Sequence, residues 1–355
     1  MTSKGRPTLA DVASLAGVSV STASLAFSGA GPIAPATRDR VHAAAADLGY
    51  SGPNPLGRSL RSGRSGIVAV VIGDQLRRSF RDPVSVQVLD GLVGELGTLG
   101  LGVLLIPAPA AEDGTYRLDP LLASAPMDVA VLIWGAHSHD PILVELQRRG
   151  VPIVLGEGPD VPDFPVVGVQ DRVGSAELYR YLTGLGHERI GVVTLPFGLP
   201  RRAGAVPPER LGHADWAPTK HRLEGMVDAG VTPTVIVEAA ASLVEEGQVA
   251  GRTVLDVADP PTAVVAQSDL LAAGVVHAAR ELGMRVPQDV SVAGFDGLDL
   301  AWLAPDVLTT VAQPLGEKGE EIGRAVGRLL AGEPPRPTQM PVELRIGTTT
   351  GPPRA

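Results

Sequence analysis

The chain has 355 residues, room for two or three domains, and its 30 Lys and Arg against 39 Asp and Glu leave a net charge of −9. Zero cysteines exclude disulfides and thiolate metal sites or nucleophiles, and suit a cytoplasmic protein. No stretch reaches the roughly 20 apolar residues of a membrane span, and the opening Met-Thr-Ser-Lys-Gly-Arg-Pro lacks the apolar core of a secretion signal.

The charge is unevenly spread. Residues 1–65 hold seven Lys and Arg against three Asp, a net of +4, so the remaining chain carries −13. Only the basic end is suited to phosphates; the acidic remainder repels nucleic acid.

In chain order, Leu9, Val12, Ala13 and Ala16 recur at the spacing of one buried stripe on a short helix that Thr8 can cap. Gly17 stands where that helix must stop, and Ser19 offers its hydroxyl to the free N–H groups of a second helix. The pair makes a helix-turn-helix. On the second helix Ala23 and Phe27 face inward, while Val20, Ser21, Ser24 and Leu25 share the face a major groove would meet. A third helix is predicted over residues 35–48, with Val41, Ala44, Ala45 and Leu48 as its stripe and Gly49 at its end. Residues 51–66 are rich in Gly, Pro and Ser and form a linker, within which 54–61 has room for two helical turns starting at Pro55.

From Ile67 the pattern changes to continuous apolar runs alternating with helix-length segments. The runs at 67–72, 103–106, 129–134 and 153–155 form one series; those at 166–169, 190–193, 235–237, 263–266 and 290–293 form a second. Such runs suit parallel strands buried on both faces, and two β-α series predict two doubly wound lobes with a ligand cleft at their strand ends. There is no phosphate-loop, nucleophile-elbow or zinc-protease motif, so catalysis has no machinery. His137-Ser138-His139-Asp140 follows a strand and precedes a helix, and is read as a polar loop rather than a metal site. Neither metal nor cofactor is expected.

Leu-x-Asp-Val-Ala-x-x-Ala-Gly-Val-Ser-x-x-Thr from Leu9 to Thr22, with Thr37-Arg38, Leu48-Gly49-Tyr50 and Pro53-Asn54, resembles the DNA-binding head of the lactose/galactose repressor family. Residues 289–296, Asp-Val-Ser-Val-Ala-Gly-Phe-Asp, and 308–314, Leu-Thr-Thr-Val-Ala-Gln-Pro, are further signatures of it. The resemblance implies an α plus α/β chain: a three-helix head (1–52), a hinge helix and linker (53–65), and an effector-binding and dimerisation domain of periplasmic-binding-protein type (66–355). It places lobe 1 at about 66–165 plus 314–338 and lobe 2 at about 166–313 plus 339–355, with three crossings between them.

It further implies a non-enzymatic, nucleoid-associated transcriptional regulator, most simply a repressor: a homodimer that binds operator DNA and a small-molecule effector, with no membrane partner. DNA contacts fall to Thr8, Ser19, Val20, Ser21, Thr22, Ser24, Leu25 and Arg38 in the head. Asn54, Arg58, Leu60 and Arg61 follow in the hinge, where Leu60 takes the place of a leucine wedged into the minor groove. Effector contacts fall to Arg222, Asp269, Gln313, Glu157 and Asp296, whose charged groups can pair with vicinal hydroxyls.

Several residues depart from the family's pattern. Ser24-Leu25 stands where an arginine is common, removing a bidentate guanine contact and leaving Val20 and Leu25 to touch thymine methyls. Gly57 replaces an alanine in the hinge, Ala34 a serine cap, and Ser268 an asparagine. Near Ser242, where relatives carry a stacking aromatic, there is none, which leaves Trp134 and Phe295 as stackers. A sugar or sugar-like metabolite is the expected effector, with a nucleobase-type ligand as the alternative. A transport solute-binding protein is the rival from another class, which the basic head disfavours. Residues 197–219 form an insertion of unassigned role.

Overall fold

The computed structural model describes residues 7–29, 31–52, 63–108, 118–133, 140–158 and 164–354, in two compact units, Met1–Gly66 and Ile67–Ala355.

Among the described residues the first unit holds three helices, α1 (Leu9–Ala16), α2 (Val20–Ser28) and α3 (Pro35–Leu48). Val12, Ala13, Ala23, Ala26, Val41, Ala44 and Ala45 are its core, closed by the Phe27 ring edge-on to His42 and Tyr50 at 5.1 and 5.7 Å. Small residues at the centre let the helices cross closely. Gly17 takes the left-handed conformation, φ 64°, that turns α1 into α2. Ala34 provides no side-chain cap to α3, and Pro35 at the first helical position supplies the pre-set φ instead.

The second unit contains two sheets. In the first, β1 (Ile67–Ile72), β2 (Gly102–Pro107), β3 (Val129–Ile133), β4 (Ile153–Gly156), β5 (Val166–Val169) and β12 (Thr338–Met340) are ordered β12-β5-β4-β3-β1-β2 and all parallel. The second has the order β13-β11-β10-β9-β6-β8-β7. It joins β6 (Ile190–Thr194), β7 (Gly204–Ala205), β8 (Val235–Glu238), β9 (Ala263–Ala266), β10 (Ser291–Asp296), β11 (Thr309–Ala312) and β13 (Glu343–Arg345). Only its two edge strands, β7 and β13, run antiparallel to their neighbours.

The reason the strands read as unbroken apolar runs is visible in β1. Val68, Val70 and Ile72 enter the core on one face of the sheet, and Ala69 and Val71 enter the core on the other. Helices cover both faces: α4 (Leu76–Ser79), α5 (Pro83–Thr98), α6 (Pro120–Ser124) and α7 (Pro141–Arg148) precede the second sheet. With that sheet come α8 (Asp171–Gly184), α9 (Ala217–Asp228), α10 (Val244–Leu255) and α11 (Asp269–Glu281), while α12 (Leu315–Leu330) returns to the first. Asp82, Asp119 and Asp140 each cap a helix whose first residue is proline.

Within each lobe two helices meet backbone to backbone. A Cβ on Gly91 of α5 would strike the Gly316 carbonyl, and one on Gly319 of α12 the Val88 carbonyl. In the other lobe Gly247 and Gly274 bring α10 and α11 equally close.

The lobe boundary lies later than sequence analysis places it. Val166–Val169 pairs with β4 and β12 in the first sheet, not the second, and Thr338–Met340 also belongs wholly to the first. An apolar run records burial on two faces but not which sheet supplies the neighbours. The chain therefore passes between lobes from β5 through α8 to β6, from β11 to α12, and from β12 to β13.

Candidate functional site

On the first unit, Thr8 and Asp11 close a reciprocal cap over α1. The Asp11 carboxylate accepts from Thr8 N at 2.8 Å and from Thr8 Oγ1 at 2.7 Å, which holds its pKa below the usual carboxylate value. Ser19 Oγ accepts from Thr22 N at 3.1 Å and lies 2.8 Å from the Ser21 and Thr22 hydroxyls, so it starts α2 and ties down its first turn. Along that helix Val20 is half exposed, Ser21 and Leu25 are exposed and Ser24 is partly buried. Exposed aliphatics beside hydroxyls suit base edges, where thymine offers a methyl and every base offers hydrogen-bonding groups. On α3, Arg38 is partly buried and its Nε lacks a hydrogen-bond partner among the described residues. Asn54, Arg58, Leu60 and Arg61 lie outside the described residues.

Within the second unit a cavity of about 140 Å³ opens between the ends of the two sheets. Asp74, Arg78, Ser79, Asp82, Ser85 and Glu157 face it from the first-sheet lobe; Arg201, Trp216, Arg222, Ser242, Ser268 and Asp296 face it from the second, with Gln313 at a crossover. Position at the carboxyl ends of parallel strands follows from topology: β4 delivers Glu157 and β10 delivers Asp296.

Four of the expected effector residues, Arg222, Glu157, Asp296 and Gln313, converge here. Arg222 is held from several sides. Its Nε donates to Asp171 Oδ1 at 2.7 Å, its Nη1 donates to the Gln267 carbonyl and lies 3.9 Å from Asp296 Oδ1, and its guanidinium rests 3.7 Å above the Phe295 ring. Burial disfavours its charge, but Asp171 and Asp296 outweigh that and raise its pKa. Gln313 Nε2 donates to Asp296 Oδ1 at 2.6 Å. Burial pushes the Asp296 carboxyl well up; Arg222 opposes this, and Asp269 and Asp82 add to it.

Asp269 sits differently. It does not line the cavity: Oδ1 accepts from Thr310 Oγ1 at 2.6 Å and Oδ2 from Leu298 N at 2.7 Å, so both oxygens anchor the segments behind it. Burial raises its pKa to about 6 against those hydrogen bonds. Phe295 also stays behind the wall, because Arg222 covers its face. Trp134 lies outside the described residues.

Sequence reasoning missed the aromatic. Trp216 reaches the cavity from the end of the 197–219 insertion, and its indole Nε1 is buried with no hydrogen-bond partner among the described residues. The insertion is packed onto the second sheet: Phe197 is buried, its N donates to Glu238 Oε1 at 2.8 Å, and Arg210 pairs with the same carboxylate while covering the Phe197 ring. The same insertion supplies Arg201, which lies over Trp216 at 5.1 Å, donates to the Ala240 carbonyl at 3.1 Å and reaches across to Asp74 at 3.1 Å. The signal lay in Trp-Ala-Pro at the start of a helix, with Trp216 as its N-cap residue.

Also missed was the opposite wall. Asp82 accepts from Val84 N at 3.0 Å, and burial raises its carboxyl to about 6. The chemistry assembled is rich in acceptors, with arginines already engaged by carboxylates and an indole N–H to spare.

Two family models match the chain: bacterial regulatory proteins of the lacI family over residues 8–54, and a periplasmic binding protein-like domain over 179–350. An HTH-type transcriptional regulator of Mycobacterium tuberculosis is 33% identical over 99% of both chains. Among solved structures, a complex of the transcriptional regulator CelR with cellobiose superposes with a TM-score of 0.69 at 28% identity, covering 97% of this chain and 100% of that one. A lac repressor dimer bound to operator and an anti-inducer gives 0.78 at 23% identity, over 97% and 99% of the chains.

Proposed function

The chain belongs to the LacI family of bacterial regulatory proteins, and from that premise we propose that it is a homodimeric transcriptional repressor whose operator affinity is set by a sugar or sugar-like effector. The family is one of regulators rather than enzymes. Residues 1–52 are the reading head, 53–65 the hinge and 66–355 the effector-binding and dimerisation domain. Val20, Ser21, Thr22, Ser24 and Leu25 meet base edges, with Thr8, Ser19 and Arg38 at phosphates and Asn54, Arg58, Leu60 and Arg61 as hinge contacts. The protein works in the cytoplasm on the nucleoid; no single helix among the described residues is long and apolar enough to cross a membrane.

The observation that carries the effector reading is the cavity itself. Arg222, Asp296, Glu157 and Gln313 converge from both lobes with Trp216 beside them, which matches charge-assisted recognition of vicinal hydroxyls with an aromatic face for a ring. Asp269 and Phe295 serve it from behind by holding Leu298, Thr310 and Arg222. An effector that touches both walls prefers one lobe spacing over another, and changes operator affinity by that difference alone.

The test is selection of bound fragments from the source genome by the full-length protein, followed by a sugar screen for release of the best fragment. A near-palindromic site released by a sugar is the expected result. Failure to select any site, with and without sugars, overturns the regulator; selection of a site indifferent to all sugars overturns the effector class.

A further inference from the structure

We propose that Lys318, behind the cavity wall and not part of its lining, is a positioning residue that fixes Glu157 as an acceptor toward the effector and thereby selects an uncharged, hydroxyl-rich ligand over a phosphorylated or carboxylated one. The proposal rests on the effector reading of the cavity and adds to it a ligand class and a residue.

Lys318 lies on the first turn of α12 and is 1% exposed; Glu157, at the end of β4, is 5% exposed. Their side chains form a direct ion pair. The same ammonium lies 3.4 Å from Gln313 Oε1, and Gln313 in turn donates to Asp296 at 2.6 Å. One cation thus connects the carboxylate offered by the first sheet to the carboxylate offered by the second.

Stability alone does not call for this arrangement. Removing two charges from water costs several kcal/mol per ion, and well-packed apolar residues often replace a buried pair without loss. Glu157 also holds a left-handed backbone, φ 63°, that a residue with a Cβ adopts only at a steric cost. That strained turn delivers its side chain into the cavity wall.

Lys318 engages Oε1 of Glu157. The charged groups around Glu157 are Lys318 on α12, Asp171 on α8 and Arg222 on α9. Burial pushes its carboxyl up, Lys318 opposes that most, Asp171 reinforces it and Arg222 opposes it.

Elsewhere on the wall, Arg78 and Arg201 both pair with Asp74, and Arg222 pairs with Asp171 and Asp296. An anionic ligand would meet Asp82 and Glu157, with Arg222 already held by two carboxylates and Arg78 and Arg201 sharing Asp74. A polyol donates its O–H groups to those carboxylates at no such cost.

The first test uses the full-length protein labelled with ¹³C at glutamate carboxyls, the Glu157 signal being assigned by its loss in E157Q. K318M should raise the Glu157 titration midpoint by at least one pH unit and K318R should restore most of it; an unmoved midpoint overturns the proposal. The second follows tryptophan fluorescence during titration with glucose, cellobiose and glucose 6-phosphate. A neutral sugar should bind the wild type. It should bind at least tenfold more weakly to the double variant K318M/E157Q, whose uncharged pair keeps the fold should K318M alone unfold. Wild-type affinity in the folded double variant, or tighter binding of the phosphate than of glucose, overturns it. If none of the three sugars binds while the Glu157 midpoint moves as expected, the positioning role stands and the sugar reading falls.

Discussion

Asp82 offers a test of the cavity's electrostatics that needs no ligand. Its carboxyl is raised from an ordinary 3.8 to about 6, chiefly by burial, while it caps α5 through Val84 N. A folded-state pKa above the unfolded one means that the folded chain binds more protons between the two values, so stability is greatest at low pH and is lost as pH rises through about 6. With midpoints of 3.8 and about 6, the Asp82 contribution falls by about 1.4 kcal/mol between pH 5 and pH 7.5. Asp82→Asn keeps the cap, since Asn and Asp cap helices about equally, and removes the charge. Its stability relative to wild type should therefore rise by about 1.4 kcal/mol across that interval. Chemical denaturation of both proteins at the two pH values measures this directly. A difference that stays constant with pH, or that moves the other way, refutes the assignment of a buried, proton-binding carboxyl to the cleft.

Four further substitutions test the head, the hinge, a helix contact and the cavity. Leu25→Ala, on an exposed face of α2, should leave the unfolding midpoint within about 0.5 kcal/mol of wild type, yet weaken specific operator binding by about 1–3 kcal/mol in a gel-shift titration; parallel losses on specific and random DNA would deny it a base-reading role. Gly319→Ala drives a methyl into the Val88 carbonyl and should cost about 1–3 kcal/mol by denaturation, so an unchanged midpoint would mean that α5 and α12 separate easily. Leu60→Ala should weaken binding to the selected operator far more than to random DNA; equal losses would remove the wedge. Trp216→Phe retains a ring and deletes the indole N–H, and should weaken neutral-sugar binding by about 0.5–1.5 kcal/mol in a fluorescence or calorimetric titration.

The head was legible almost to the residue, because its information is local: the caps at Thr8 and Ser19, the stop at Gly17 and the apolar stripes all act within a few positions. The alternation of strands and helices was equally plain, since two-sided burial leaves unbroken Val, Ile and Leu runs. What escaped depended on distant partners. Val166–Val169 satisfies either sheet by composition, and only its pairing with Ile153–Gly156 decides the matter. Asp269 is expected among the effector contacts, but whether a carboxylate faces a ligand or braces a neighbouring segment depends on Leu298 and Thr310, 29 and 41 residues away. Trp216 lies in a segment without periodicity, so only Trp-Ala-Pro at a helix start marked it, and nothing local announces that an insertion will be laid along β8.

The glycines between α5 and α12, and between α10 and α11, have a mechanical meaning as well as a steric one. Helices locked at backbone distance cannot soften by exchanging rotamers, so each lobe behaves as a stiff arm rather than as a cushion. Work done by a ligand in the cleft is then not dissipated by repacking inside an arm; it is delivered to the three crossings of chain that join the arms. The same division of labour frees the cavity walls to vary. Arg201 and Trp216 sit on an insertion outside the bracing helices, so the lever can be fitted with a different grip without being rebuilt.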